Sequence, residues 1–385
     1  MARLGDICKF QSGGTPSKGE PSYFNGNIPW ITTVALNGSI IDESCAVDWI
    51  TEKAIENSAA KVVPANSVMV GTRVGVGKVA INKVPMSTSQ DIISLLDIDE
   101  SRWSKEFICK FILGKATYLI SQARGATIKG IKIETLAGIQ LPDIPLDQQC
   151  KIAVSIDAVN NLIALRNEQL AKLDQLVKSR FIELFGDPET NPYGWKQTTV
   201  GEVCSSIVRG PFGSTLKKEF FVEPNETTYK VYEQKHAIQK SATIGTYYIT
   251  AEKFDELRRF ECVAGDILMS CSGTMGELYQ LPEGCEKGLI NQALCKFTLN
   301  KKILPIVFLT YMKQTIGKLE TKGSGIQNIA AVSYVKAMPI NLAPMEVQEQ
   351  CAAFVEQTDK SKLAVQQSLD KLEELKKSLM QKYFG

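Results

Sequence analysis

The chain repeats itself once, end to end. Leu4-Gly5-Asp6-Ile7-Cys8 returns as Val200-Gly201-Glu202-Val203-Cys204, and Pro64-Ala65-Asn66-Ser67-Val68-Met69 as Ala264-Gly265-Asp266-Ile267-Leu268-Met269. Ser89-Gln90-Asp91-Ile92 matches Asn291-Gln292-Ala293-Leu294. Gly125-Ala126-Thr127-Ile128-Lys129-Gly130-Ile131 matches Gly323-Ser324-Gly325-Ile326-Gln327-Asn328-Ile329. Leu170, Leu173 and Leu176 match Leu369, Leu372 and Leu375, and Phe185-Gly186 matches Phe384-Gly385. Collinear blocks at offsets of 196–202 residues are not chance. The period is far longer than that of a solenoid, so each unit is a domain with its own core. Between the blocks the halves diverge: Ile28-Pro29-Trp30-Ile31-Thr32-Thr33 faces Tyr229-Lys230-Val231-Tyr232-Glu233. One scaffold therefore carries two different surfaces.

Within each half, short β-type runs broken by Gly, Pro and Asn alternate with short helices, over 105–122 and 304–319 for example, which makes each globular part α+β. A long helix follows each. Positions 152, 156, 159, 163, 166, 170, 173, 177, 180 and 184 alternate steps of four and three, and all but Arg166 and Arg180 are apolar. This is a coiled-coil seam. Val365, Leu369, Leu372, Leu379 and Tyr383 repeat it. Asp147 after Pro145 reads as the N-cap of the first helix. Two helices of about 39 residues, ~58 Å each, expose leucine seams that cover one another best when antiparallel. The expected order is a globular domain over 1–146, a helix over 147–186, a second domain over 187–345 and a second helix over 346–385, a pseudo-twofold internal repeat.

With 44 basic and 42 acidic residues, the net charge of +2 argues against a nonspecific polybasic binder but leaves local patches open. No run is apolar enough for a membrane span, and no signal-like start is present, so a cytoplasmic chain is expected. The ten cysteines form no Cys-x-x-Cys pair, and His236 is the single histidine, so no metal or other cofactor is expected and the cysteines read as small buried apolar residues.

Catalytic motifs fail on inspection. Gly75-Val76-Gly77-Lys78-Val79-Ala80 fits a dinucleotide loop in spacing, but a β-like run stopped by Pro85 follows where a helix must open. It fails as a phosphate-binding loop because Thr72 and Val79 occupy required Gly and Ser/Thr positions. Asn191-Pro192-Tyr193-Gly194 lacks the second proline of the Asn-Pro-Pro-Tyr motif of adenine methyltransferases and reads as turn chemistry. No partnered nucleophile stands out, so the chain reads as non-catalytic.

These blocks resemble the specificity subunit of Type I restriction–modification systems. The residues that carry the resemblance are Leu4-Gly5-Asp6-Ile7, Gly13-Gly14-Thr15-Pro16, Ile28-Pro29-Trp30, Arg73 with Gly75, Gly77 and Lys78, and Gly125 with Ile128. They continue with Leu141-Pro142, Pro145-Leu146 and Gln149, Leu184-Phe185-Gly186-Asp187, Gly194-Trp195, Met338-Pro339, Pro344 and Gln348-Glu349-Gln350. The resemblance implies two target recognition domains, each reading one half of a split double-stranded DNA sequence, with the helices spacing the half-sites. It also implies two methyltransferase subunits docked on the helices and restriction subunits joining them. Methyl transfer and cleavage, with their cofactors, would belong to those partners.

Base reading needs Asn, Gln, Arg, Lys, Ser and Thr on loops. The candidates are Gln11, Ser12, Thr15, Lys18, Thr33, Arg73 and Lys78 in the first domain, and Arg209, Ser214, Lys217, Lys218, Lys235, Ser272 and Thr274 in the second. Gln90 and Gln292, being shared, read as scaffold more than as sequence readers. Leu162, Leu165, Leu176, Phe181 and Leu375 are candidates for the partner contact. The competing classes are a coiled-coil protein-binding adaptor, favoured by DNA binding that ignores sequence, and a methyltransferase, favoured by methylation from the purified chain.

Overall fold

The computed structural model describes residues 1–125, 129–187, 190–316 and 332–385, with the backbone alone of Gly213 and Ser214. The repeat blocks at Ala126-Thr127-Ile128 and at Gly323–Ile329, and the end of the expected helix over 304–319, lie outside the described residues. The structure divides into two compact units, one of Met1–Asn167 with Gln367–Gly385, the other of Glu168–Gln366.

The first unit holds a five-stranded sheet in the order Lys9–Ser12, Ile92–Leu96, Val68–Gly71, Val79–Asn82, Ile40–Ile41. A second sheet of four runs Asp48–Ile50, Phe24–Ile31, Met86–Thr88, Val62–Val63. The second unit builds the same frame with Cys204–Arg209, Leu294–Leu299, Ile267–Ser270 and Leu278–Gln280, and with Tyr248–Ile249, Tyr229–Tyr232, Gly288–Ile290 and Glu261–Cys262. Even the one parallel pairing inside the smaller sheet recurs: Trp30 and Ile31 lie opposite Ser87 and Thr88, Val231 and Tyr232 opposite Leu289 and Ile290.

The helix expected over 105–122 is two, Lys105–Gly114 and Ala116–Gln122, broken at Lys115. Its counterpart is Pro305–Thr315. Each packs on its sheet through a buried apolar face, Phe107, Ile108, Phe111 and Ile112 in one unit and Val307, Phe308, Tyr311 and Met312 in the other.

The two long helices are Leu146–Phe185 and Met345–Phe384. Asp147 is not the N-cap: the first main-chain bonds run from Gln148 and Gln149 to Pro145 O, which places Asp147 in the first turn, paired with Lys151 at 3.3 Å. A fully buried glutamine anchors each helix start in the same way. Gln149 accepts from Ser104 N (3.0 Å) and donates to Arg102 O and Ile144 O; Gln348 accepts from Leu304 N (3.0 Å) and donates to Lys302 O and Ala343 O.

In each unit one long helix begins and the other ends. Within the second unit Lys362 pairs with Asp174 at 2.8 Å and Arg180 lies over the Phe354 ring, so residue numbers rise on one helix as they fall on the other, which is antiparallel pairing. All ten seam positions of the first helix are buried or half-buried, while Leu162, Leu165 and Leu176 beside them are exposed. The helix ends close the cores. Phe384 packs edge-on against Phe107 and Phe111, both at 5.6 Å between ring centroids. In the second unit Phe185 stacks on Phe181 at 4.4 Å. Phe181 is therefore only 1% exposed and is not available to a partner subunit, a correction to its reading as a docking residue: it faces Tyr311 and not solvent.

Candidate nucleic-acid interface

Four chain segments converge at one edge of the sheets in the first unit, and main-chain hydrogen bonds fix how they meet. The turn after Lys9–Ser12 bonds into the 88–92 loop through Gly13 N to Ile92 O (3.0 Å) and Gly14 N to Thr88 O (2.9 Å). The same loop takes Ser89 N to Ile31 O (2.9 Å), at the end of Phe24–Ile31, and Thr72 N to Asp91 O (2.8 Å), at the start of the loop between Val68–Gly71 and Val79–Asn82. The second unit makes three of these four bonds, Gly210 N to Leu294 O (3.0 Å), Asn291 N to Tyr232 O (3.0 Å) and Cys271 N to Ala293 O (2.8 Å); Pro211, with no N–H, stands where Gly14 makes the fourth. The approach is too close for any side chain at the crossing. A Cβ on Gly13 would sit 2.2 Å from Ser89 O, and one on Gly210 1.9 Å from Asn291 O, so glycine is required at both.

The 72–78 loop is a tight connection between antiparallel strands, with Gly77 N bonded to Gly71 O (3.0 Å) and Gly77 at φ +81°. Its counterpart has Gly276 N on Ser270 O (2.9 Å) and φ +82°. The glycines of Gly75-Val76-Gly77 thus serve a hairpin, and a strand follows where a dinucleotide site needs a helix. Asn191-Pro192-Tyr193-Gly194 is likewise a turn: Asn191 bonds through its side chain to Trp195 N (3.0 Å) and Trp195 O (2.8 Å).

On this doubled frame the side chains differ. The first cluster presents exposed Ser12 and Arg73, the latter 3.6 Å from Asp91, with exposed Val34 and Val74 beside them. The second presents Arg209 under the exposed ring of Phe212 at 5.0 Å, Ser272, exposed Thr274 and Lys235. Lys78 is exposed at the base of the first hairpin loop, where the second unit has Glu277, paired with Lys240 at 2.7 Å. Thr15 and Lys18, and Lys217 and Lys218, are exposed on the segments that leave the clusters.

Two sequence expectations change, and a third lies outside the described residues. Thr33 belongs to the first cluster but is 4% exposed, so its hydroxyl does not face outward; it sits where the chain turns back, its carbonyl accepting from Leu36 N. Gln11 uses its amide on Val62 O at 3.0 Å and holds the two sheets together. The side chain of Ser214 lies outside the described residues. The shared Ser89-Gln90 and Asn291-Gln292 pairs divide in role. Ser89 is buried and Asn291 Oδ1 accepts from Ala293 N (3.1 Å), as scaffold residues should. Gln90 and Gln292 are both exposed, and neither amide has a hydrogen-bond partner among the described residues.

Two positioning residues lie behind the second cluster. Gln234 donates to Ser272 O and, at 3.4 Å, to Thr274 O, and so fixes the hairpin loop. His236, fully buried, accepts from Glu233 N at Nδ1 (2.8 Å) and donates from Nε2 to Ile244 O (2.7 Å). Burial holds its pKa below the ordinary imidazole value. No local sequence pattern marks the role of Gln234, because it acts on a segment distant in the chain; His236 acts locally, closing a capping box with Glu233 and tying it to Ile244.

Comparison with known proteins follows this duplication. The family model "Type I restriction modification DNA specificity domain" matches residues 1–175 and again 192–377. The chain is 29% identical over 185 residues to the Type I restriction enzyme EcoR124I/EcoR124II specificity subunit of Escherichia coli, covering 46% of this chain and 45% of that protein. It is 27% identical over 221 residues to the MjaIX specificity subunit of Methanocaldococcus jannaschii, covering 53% and 51%. It thus spans about half the length of the curated relatives it matches. Among solved structures it is similar in fold to the Type I restriction–modification S subunit from M. genitalium, with a TM-score of 0.56, 15% identity, and coverage of 100% of this chain and 95% of that one. It is also similar to a chain from a study of complex assembly and conformational transition of the Type I R-M system, with a TM-score of 0.66, 17% identity, and coverage of 100% and 96%.

Proposed function

Because the chain belongs to the Type I restriction modification DNA specificity family, we propose that it is the non-catalytic DNA-reading subunit of a Type I restriction–modification complex, with each compact unit reading one half of a split target. The observation that supports this most is the doubled loop cluster: the same four segments, held by three matching main-chain bonds, carry Ser12 and Arg73 in one unit and Arg209, Ser272 and Thr274 in the other. A rigid frame with exchangeable polar and cationic tips is what direct readout of base edges requires. Two different tip sets on one frame suit two different half-sites. Methyltransferase subunits would dock on the outer faces of the long helices, where Leu162, Leu165, Leu176 and Leu375 are 44–58% exposed, and restriction subunits would join that core. The working place of such a complex is the cytoplasm; no helix among the described residues is long and apolar enough to cross a membrane.

The test is domain exchange. Residues 1–144 are replaced by the corresponding residues of another family member, the complex is assembled, and the methylated motifs are sequenced. One half of the motif changes and the other stays. A change in both halves, or binding that ignores sequence, overturns the two-headed reading.

A further inference from the structure

Gln90 and Gln292 occupy the same place in the two clusters, and, apart from the turn glycines Gly13/Gly210 and Gly77/Gly276, the clusters agree there while the neighbouring side chains differ. Ser12 is matched by Arg209, Arg73 by Ser272 and Lys78 by Glu277, yet glutamine stands in both 88–92 type loops. Support of the fold does not account for it, since both side chains are exposed and neither has a hydrogen-bond partner among the described residues. The backbone beneath them is held firmly. Gln90 sits between Ser89, bonded to Ile31 O, and Asp91, whose carbonyl holds Thr72 N; Gln292 sits between Asn291, bonded to Tyr232 O, and Ala293, whose carbonyl holds Cys271 N. Each amide is thus carried on a loop pinned on both sides, which lowers the entropy cost of engaging a ligand. A primary amide offers one acceptor and two donors side by side, the complement of adenine N6–H and N7 in the major groove.

We propose that Gln90 and Gln292 each read an adenine, one in each half of the DNA target, as the element common to two otherwise different half-sites. The variable tips around them discriminate the halves. This rests on the DNA-reading function proposed above.

The test uses the full chain in complex with its methyltransferase subunits and a duplex carrying the mapped target. Each adenine is replaced in turn by 7-deazaadenine, which removes only the N7 acceptor. The wild-type complex should lose roughly tenfold or more in affinity at one adenine in each half. Gln90→Leu should show a similar loss on the unmodified duplex, no further loss from 7-deazaadenine in one half, and the full loss in the other. Gln292→Leu should show the mirror pattern. Both positions are solvent-exposed, so folding is checked simply by matching thermal melts. Wild-type affinity in Gln90→Leu and Gln292→Leu overturns the inference, as does a weakened variant that keeps both deazaadenine penalties, or a mapped half-site without adenine. If the wild-type complex does not prefer the mapped duplex over a scrambled one, DNA reading itself fails, independently of the glutamines.

Discussion

His236 shows how one buried side chain fixes the segment it belongs to. Its ring packs edge-on against Tyr232 at 5.1 Å, and its two nitrogens bond to Glu233 N and Ile244 O. Nδ1 accepts from Glu233 N and also lies 3.0 Å from Glu233 O, so hydrogen bonding would serve either form and it is burial that disfavours the charged ring. The folded pKa lies below the unfolded value, for which burial is the main cause. The sign follows: stability from the neutral ring is complete above the unfolded pKa, about 6.5, and is lost as pH falls toward the folded value. Thermal melts between pH 5 and 8 should therefore show an acid-side loss that His236→Gln reduces. Because the chain has a single histidine, NMR titration follows that ring alone. A ring titrating at or above pH 6.5 would contradict this account.

At the scale of elements, the ends of the long helices are part of the globular cores. Phe384 is 3% exposed among Phe107, Phe111 and Gly114, where a Cβ on Gly114 would lie 3.0 Å from the Phe384 ring. Truncating a buried phenylalanine removes its transfer free energy and leaves a cavity. Phe384→Ala should cost about 3–5 kcal/mol, read by chemical denaturation through the buried Trp103 in the same core. A loss below about 1 kcal/mol would mean the helix end is dispensable to that core. The same argument rules out lengthening the first helix near its end, because Phe185 is 4% exposed in the core of its unit and an insertion just before it would pull it out.

For the whole molecule, the proposed reading makes the long helices a ruler. Seven residues inserted in each helix, after Asn167 and after Gln366 where the compact units divide, keep the four-three seam in phase. Each helix grows by about 10 Å, close to three base pairs of axial rise. The methylated motifs of such a mutant complex should keep their half-site bases and gain about three base pairs of spacer. An active mutant with the original spacer would show that the helices do not set the gap.

Periodicity and repetition made the α+β halves, the two long helices and their seam legible in the sequence, because both are one-dimensional signals: a 4,3 step survives in any helix, and duplicated blocks mark duplicated turns such as those at Gly77 and Gly276. The same logic identified Arg73 and Ser272 as loop residues. It did not foresee the burial of Thr33, nor the contacts of Gln11 with Val62 and of Phe181 with Tyr311, segments 50 or more residues away, and it assigned Gln90 and Gln292 to the scaffold because sharing alone does not say which way a side chain faces. Which half of each Ser-Gln or Asn-Gln pair turns inward, and which aromatic closes which core, is decided only when distant segments pack against one another.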